Sequence, residues 1–218
     1  YDSYIVNKMT KWVFIMNKLK SRYDKNKSKK DLLTLAYARY GYIGYCFAEE
    51  KRTLAESHTN KLEKHIEAML ALDKNWAEAY ALKGALYGFK TEFNKWKVID
   101  YGMQSLKYIN KAIELDGKSP YAWVEKANSA YYTPSAFGGG TAKAIKHLKK
   151  AVSLFESKSG ETKHNWLYLL SMTNLGLWYE EEKDYEKAKS TYEKILKKAP
   201  GYLWVKDELL PAVKKKIK

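Results

Sequence analysis

The first residues to consider for chemistry are two histidines, His58 and His65, and the single cysteine, Cys46. A separation of seven residues places the two histidines on one face of a continuous helix. No further histidine, cysteine or carboxylate completes a set with metal-ligand spacing. Cys46 stands between aromatic residues and lacks the histidine signature of a cysteine nucleophile. We therefore predict that these side chains have packing or surface roles and that the protein holds no metal.

Adjacent carboxylates occur at Glu49 and Glu50 and again at residues 180–182. Neighbours in sequence do not face each other on a helix, so these acids are predicted to be solvated rather than to act as a general acid and base. The sequence therefore predicts no catalytic residue, a protein that is not an enzyme, and no cofactor.

Three consecutive glycines at residues 138–140 precede a lysine-rich segment and raise the question of a phosphate-binding loop. Such a loop needs G-x-x-x-x-G-K-[ST] after a buried strand, whereas these glycines run into Thr141 and no strand pattern precedes Pro134. We predict a hairpin turn in which glycine adopts positive φ, with Thr141 capping the next helix. Anion capture by the amides of that helix, aided by Lys143 and Lys146, is the alternative.

The composition predicts a helical protein with a substantial core. The chain has 218 residues, 45% of them hydrophobic, with only four prolines and 12 glycines. Alanine, leucine, lysine and glutamate are abundant, which favours helices over sheets. The longest apolar run near the start covers residues 12–16, far short of the roughly 20 residues of a membrane-spanning helix. We therefore predict no transmembrane segment.

The net charge of +15 could indicate an anionic partner such as nucleic acid. Only three of the 40 basic residues are arginines, however, and the planar guanidinium is the group that favours base edges and bidentate phosphate contacts. We predict lysine-rich, solvated helix faces. A protein that binds RNA or another polyanion, with a steep loss of affinity in salt, is kept as an alternative.

A helical repeat is the clearest pattern in the chain. Residues 172–200 read Met-x2-Leu-Gly-x2-Tyr, then Ala-x3-Tyr, then Pro. Small residues at Gly176 and Ala188 let two antiparallel helices approach closely, while Tyr179 and Tyr192 fill the space beside them. The pattern resembles the tetratricopeptide repeat. This resemblance implies an all-α, TPR-like right-handed superhelix of antiparallel helical hairpins with capping helices at the N- and C-termini.

Earlier copies of the repeat are looser, but they share an interval of 22 residues from one second helix to the next first helix. The distance within a hairpin varies instead, from 12 residues in the last copy to 21 in the copy that contains Gly84. Insertions are therefore predicted at the hairpin tips. The 22-residue interval joins Leu19 to Gly41, Leu62 to Gly84, and Ser105 to Ala127.

These patterns divide one continuous domain into three parts. Residues 1–26 have apolar residues at alternating spacings of four and three, typical of an amphipathic capping helix. Residues 31–202 form about four TPR-like hairpins with lengthened tips. Residues 203–218 form a C-terminal capping helix, bent or broken near Pro211. A solenoid requires such end caps.

The loop that contains Pro134, Phe137, Gly138 and Gly139 carries a narrower resemblance. Its Pro-x-x-Phe-Gly-Gly pattern is similar to that of small exported bacterial tetratricopeptide proteins. More distantly, the chain resembles the periplasmic tetratricopeptide component associated with TRAP-type solute transporters. The resemblance implies an exported, periplasmic protein and brings no catalytic residue with it. The first residue, Tyr1, fits either removal of a signal peptide or a trimmed chain.

In tetratricopeptide arrays the first helices of successive hairpins line a concave groove, so the resemblance also implies a partner-binding surface. Tyrosine supplies rigid contact area and an orienting hydroxyl, which suits an extended peptide or a partner helix. The alternative is that these rings fill space between long hairpins. The residues placed toward the groove are Tyr42, Tyr45, Phe89, Tyr121, Asn128, Tyr131, Tyr132, Thr173 and Leu177.

We expect a non-enzymatic scaffold that binds a protein or peptide through this aromatic groove. Besides the polyanion-binding alternative, a small-ligand-binding periplasmic component of a transporter system remains open. That alternative would need a closed pocket of roughly 300 to 1,000 Å³.

Overall fold

The structure, a computed structural model, describes residues 1–217, and within that range it contains α-helices and no β-strand. The prediction of an all-α helical repeat is confirmed. None of the helices in the described range is long and apolar enough to cross a bilayer. The α-helices are α1 (Asp2–Ile5), α2 (Met9–Asn26), α3 (Lys29–Ala48), α4 (Arg52–Leu72), α5 (Ala77–Phe93), α6 (Val98–Leu115), α7 (Pro120–Tyr132), α8 (Thr141–Ser157), α9 (Trp166–Glu181), α10 (Tyr185–Lys198) and α11 (Leu210–Lys216).

Neighbouring helices pack in pairs, α3 with α4, α5 with α6, and α9 with α10. Short 3₁₀ turns at Lys95–Lys97 and Ser135–Phe137 precede α6 and α8, and a π-helical turn at Trp204–Leu209 leads into α11. The chain forms two compact units. Residues 9–125 are called the N-terminal unit below, and residues 1–8 together with residue 126 onward are called the C-terminal unit.

In the N-terminal unit, α5 and α6 are in tight contact. A Cβ atom on Gly84 would lie 2.5 Å from Ile109 Cγ1 and 3.1 Å from the carbonyl oxygen of Ser105. Ser105 and Ile109 are buried and one turn apart on α6. The helices can approach this closely only because Gly84 has no side chain.

The C-terminal unit has a similar glycine contact between α9 and α10. A Cβ atom on Gly176 would overlap the ring of Tyr192, which is fully buried. The Tyr192 hydroxyl donates a 2.7 Å hydrogen bond to Glu180 Oε1, which holds the ring in place. Ala188, the other small residue of the motif, is also fully buried. The close helix packing that the repeat pattern predicts is thus present in the last hairpin.

The ends of the chain differ in detail from simple capping helices. The chain between α1 and α2 turns at Asn7, whose φ is +50°. In the C-terminal unit, the Tyr202 hydroxyl donates to the Tyr4 hydroxyl at 2.7 Å, and the Tyr4 ring also lies 5.9 Å from that of Trp166. Pro211 stands in the first turn of α11, directly after the π-helical turn, where its missing N–H costs little.

Candidate partner-binding surfaces

A row of aromatic rings follows the first helices of the N-terminal unit. The α3 members lie three and seven residues apart and share one helix face, and the α5 members are four residues apart. Centroids of successive rings are 4.8 to 6.2 Å apart, within the range of favourable ring contacts. We call the six rings the aromatic row: in order of contact they are Tyr121, Tyr37, Tyr40, Phe89, Phe47 and Phe93.

The aromatic row is partly accessible. Tyr37 and Tyr40 are each only 7% exposed and belong to the core. The other four rings are half-buried, so one side of each remains open to a partner. The buried tyrosines hold the row rigid, and rigid aromatic surface binds a partner at low entropic cost.

One end of the aromatic row is polar and acidic. Within residues 1–217 the buried Tyr37 hydroxyl has no hydrogen-bond partner. Burial raises the pKa of Tyr37 well above its usual value, and the nearby groups of Tyr121, Glu78 and Glu125 raise it further. Tyr37 is therefore neutral, and its buried hydroxyl is not accessible to a partner, whereas Glu78 is only half-buried.

The other end of the aromatic row carries a cation. The Arg52 guanidinium lies 5.5 Å from the centroid of the Phe93 ring, and its NH2 group donates to the Phe93 carbonyl oxygen at 3.2 Å. Arg52 also lines an open depression of about 280 Å³ with Cys46, Phe47 and two acids. Arg52 is therefore accompanied by the carboxylates of Glu50 and Glu92, so the charge at this end of the row is mixed.

Four of the residues predicted to face a groove lie in the N-terminal unit, on two different surfaces. Phe89 and Tyr121 belong to the aromatic row. Tyr42 and Tyr45 contact each other, and the Tyr42 ring lies 4.7 Å from that of His58 on α4. They therefore occupy the opposite face of α3. The predicted groove residues do not include Tyr37, Tyr40, Phe47 or Phe93, although the spacing of three and seven between aromatic residues along α3 indicates part of the row.

The remaining predicted groove residues lie in the C-terminal unit. The Tyr131 ring stacks on Trp178 at 4.7 Å, and its hydroxyl donates to Glu181 Oε2 at 3.0 Å. Tyr132, at an edge of the Tyr131 ring, is 81% exposed. Thr173 is fully buried and donates its hydroxyl proton to the Leu169 carbonyl, so it faces the core rather than a partner. Asn128 and Leu177 are half-buried.

The glycine loop is a turn, as predicted. Gly138 and Gly140 have φ values of +80° and +111°, in the region that favours glycine, and a Cβ atom on Gly139 would overlap the carbonyl group of Thr133. The Pro134 carbonyl accepts the amides of Phe137 and Gly139 at 2.9 and 3.2 Å. The Phe137 ring is 81% exposed.

The prediction that Thr141 caps α8 is wrong. The N-cap residue is Gly140, and no side chain caps the helix. The Thr141 hydroxyl instead donates to Glu181 Oε1 at 2.8 Å, because this carboxylate of α9 lies within its reach. Lys143 donates to the Gly138 carbonyl at 2.6 Å and so stabilises the loop itself.

The residues first considered for chemistry are buried. Arg39, which is 5% exposed, donates from Nε to His65 Nε2 at 3.1 Å and from NH1 to His58 Nδ1 at 3.0 Å. Burial, and then the charge of Arg39, lowers the pKa of both histidines to about 4. Burial raises the pKa of the Cys46 thiol. Neutral imidazoles and a protonated thiol in the core are packing groups.

Comparison with known proteins identifies the repeat and the fold. Residues 171–202 match the model of the tetratricopeptide repeat family, which confirms the repeat predicted for the last hairpin. Among solved structures, the chain is similar to the HusA haemophore from Porphyromonas gingivalis, with a TM-score of 0.63 and 22% identity over 79% of this chain and 85% of that chain. It is also similar to a thermophilic TPR protein from Thermus thermophilus, with a TM-score of 0.64 and 14% identity over 97% of this chain and 93% of that chain.

Comparison with curated protein sequences gives no match. The likeness to the two solved structures concerns the fold. The repeat match covers the last hairpin, and the structural likeness shows a helical-repeat fold for the chain.

Proposed function

We propose that this protein is a non-catalytic scaffold that binds an extended segment of a partner protein along the aromatic row. The observation that carries the proposal is the row itself, six rings in contact on α3, α5 and α7, four of them half-buried. Half-buried aromatic side chains are the usual energetic anchors of protein recognition, because they supply large apolar area with few rotamers to fix.

The charges at the two ends of the aromatic row define the segment that fits best. The half-buried carboxylate of Glu78 favours a lysine, an arginine or a free amine at one end. Arg52 favours an acidic side chain or a C-terminal carboxylate at the other. Apolar or aromatic residues between these ends would contact the rings.

Selection from a displayed random-peptide library, followed by calorimetric titration, tests this function. Enriched peptides are expected to have an apolar middle and a basic residue near one end. Phe89→Ala should weaken their binding at least tenfold, equivalent to about 1.4 kcal/mol. Tyr87→Ala is the matched control on α5, because the Tyr87 ring contacts Tyr101 and Tyr108 on α6 rather than the row.

The control variant should bind with the affinity of the unaltered protein. Equal losses in Phe89→Ala and Tyr87→Ala, or a selected peptide whose binding neither variant changes, would contradict the proposal. Repeating the titration at low and moderate salt also tests the polyanion-binding alternative, which requires a steep loss of affinity with salt.

The likeness to a haemophore favours a second candidate function, the binding of haem. Haem is flat and apolar with two carboxylates, and the C-terminal unit exposes the Tyr132 and Phe137 rings to 81% on either side of Pro134, near Lys143. Titration with haemin should then shift its visible absorption, and Tyr132→Ala with Phe137→Ala should abolish the shift. An unshifted spectrum would exclude this candidate and leave the peptide-binding proposal untouched.

The transporter-component alternative remains a proposal that needs a ligand-sized pocket. An open depression of about 500 Å³ in the C-terminal unit is lined by charged residues of 182–186 and by Lys216 and Ile217. Its openness and charge suit solvent more than an enclosed small ligand.

A further inference from the structure

Five large apolar side chains, one of them Val98, are exposed within 11 residues of the N-terminal unit. Trp96 is 100% exposed, Ile99 78%, Met103 62% and Leu106 40%. We call these four residues the apolar ridge. Isolated exposed apolar residues are normal on a protein surface, whereas a contiguous group marks an interaction site.

The apolar ridge has no role in the packing of its own helix. Ile99, Met103 and Leu106 are separated by four and then three residues, so they share one face of α6. The buried face of α6 is formed by Ser105, Ile109 and Ala112, which lie on a different side of the helix. Trp96 precedes the helix in the 3₁₀ turn at Lys95–Lys97. These apolar groups are therefore exposed without a packing reason.

Lysines accompany the apolar ridge. Residues 95–113 contain four lysines and one aspartate. Within residues 1–217, neither Lys97 nor Lys107 pairs with a carboxylate. Their ammonium groups lie 6.0 Å from the Tyr101 ring centroid and 5.8 Å from that of Tyr108. Their long stems thus run along aromatic surface while the charged groups stay in water.

We propose that the apolar ridge docks this protein on the surface of a membrane that contains anionic lipids. Tryptophan prefers the headgroup region of a bilayer, and aliphatic side chains enter the boundary with the acyl chains. Lysines beside them are attracted to anionic headgroups. A bilayer needs no complementary shape, so it accommodates a fully exposed indole that a rigid protein partner would have to enclose in a pocket.

The docking is peripheral. The ridge belongs to one face of one helix and the turn before it, so it reaches only the interface and does not span the bilayer. It uses residues outside the aromatic row, so a partner segment and a membrane could be bound together. Failure of either proposal leaves the other standing.

Flotation of the full chain with lipid vesicles tests the proposal. Vesicles of phosphatidylcholine alone are compared with vesicles that also contain phosphatidylglycerol, and binding is expected only to the second. Replacing Trp96 and Ile99 together by serine should reduce the bound fraction at least tenfold. Phe14→Ser is the matched control, because it removes an exposed aromatic residue of α2 that belongs neither to the apolar ridge nor to the aromatic row. It should leave binding unchanged.

A second variant tests the contribution of the lysines separately from that of the apolar side chains. Lys97→Glu with Lys107→Glu should remove the preference for phosphatidylglycerol while the apolar residues remain. None of the five substituted positions is buried, so every variant is expected to fold, and melting curves check this.

Three outcomes would overturn the proposal. The unaltered protein could fail to bind either kind of vesicle. The serine variant could bind as well as the unaltered protein, which would reduce binding to adsorption by lysines alone. Sedimentation could instead show a dimer that the serine variant loses, which would assign the ridge to a second copy of the chain.

Discussion

Two hairpins, α5–α6 and α9–α10, are held by the same kind of glycine contact between their helices, which we call the closure. They differ in the segment that joins the two helices, which we call the tip. In both, a glycine on the first helix lies against a larger side chain on the second, Gly84 against Ile109 and Gly176 against Tyr192. The second hairpin turns through polar residues 182–184, with 12 residues between its small positions. The first has 21 residues between the corresponding positions, Gly84 and Ser105, and exposes an apolar ridge.

The fold requires the glycine contacts, whereas it tolerates differences between the tips. The close approach of the helices requires glycine at these two positions, because any side chain there would overlap a buried neighbour. The tip has no such constraint, so its length and chemistry can serve another purpose.

The largest effect is expected at Gly176. Gly176→Ala places a methyl group within the Tyr192 ring, and that ring is held by its bond to Glu180, so it cannot swing aside freely. We expect the free energy of unfolding to fall by about 3 kcal/mol, measured by urea denaturation. An unchanged urea midpoint would show that the closure of α9–α10 does not depend on the glycine.

At Gly84 the expected loss is smaller, about 2 kcal/mol on substitution by alanine. The nearest neighbour, Ile109 Cγ1, belongs to a side chain that can adjust, although the Ser105 carbonyl at 3.1 Å cannot. Gly88 is the control on the same helix, since a Cβ atom there meets nothing within 4 Å. Gly88→Ala should stabilise the protein by about 0.5 to 1 kcal/mol. Equal effects of Gly84→Ala and Gly88→Ala would contradict the claim that only Gly84 lies at a close helix contact.

Acid should weaken the N-terminal unit through Arg39, His58 and His65. The folded pKa of both histidines is about 4 against an ordinary value of 6.5, so the unfolded chain binds more protons between these values. Stability should therefore fall as the pH drops from about 6.5 to about 4. Amide exchange should show faster opening of α3 and α4 at pH 5 than at pH 7.

Variants without titrating imidazoles test this cause. In His58→Asn with His65→Gln, amide oxygens can still accept hydrogen bonds from Arg39 but do not gain a proton. The pH dependence of α3 and α4 opening should flatten in this double variant. If the dependence is unchanged, other groups control the acid sensitivity.

Tyr192→Phe sharpens the comparison further, because Ile109, the corresponding residue of α5–α6, has no hydroxyl. The substitution removes the bond to Glu180, whose other carboxylate oxygen still accepts from Lys216 at 2.8 Å. We expect a loss of about 1 kcal/mol in thermal or urea unfolding. A neutral result would mean that glycine and ring packing alone close the hairpin.

The smallest effect on stability is expected at the tip. Replacing Trp96 and Ile99 by serine should change the free energy of unfolding by no more than about 0.5 kcal/mol, because both side chains are exposed. Replacing the buried Ile109 by serine should cause a large loss. A strongly destabilised tip variant would show that the apolar ridge belongs to the packed structure after all.

The sequence predicted the closures better than the surfaces. The motif around Gly176 could be identified because its spacing is close to that of the repeat and the packing reason for each residue is local. The face of α3 could not be assigned, because Tyr37 and Tyr40 lie on one side and Tyr42 and Tyr45 on the other, so aromatic periodicity alone does not choose between them.

Other features depend on contacts between distant parts of the chain. Arg39 meets histidines 19 and 26 residues away, and no pattern in the sequence connects them. Thr141 has the usual identity of a helix cap, but Glu181, 40 residues later, takes its hydroxyl hydrogen bond. Local propensity predicts the helix start correctly and assigns the wrong partner to the side chain.

The most direct test of the central claim is hydrogen–deuterium exchange of the full chain with and without a peptide selected for binding. The aromatic row predicts slower exchange in α3, α5 and the first turns of α7, with little change in α4 and α6. Protection confined to α6, α8 or the glycine loop would contradict the claim that the aromatic row binds the partner.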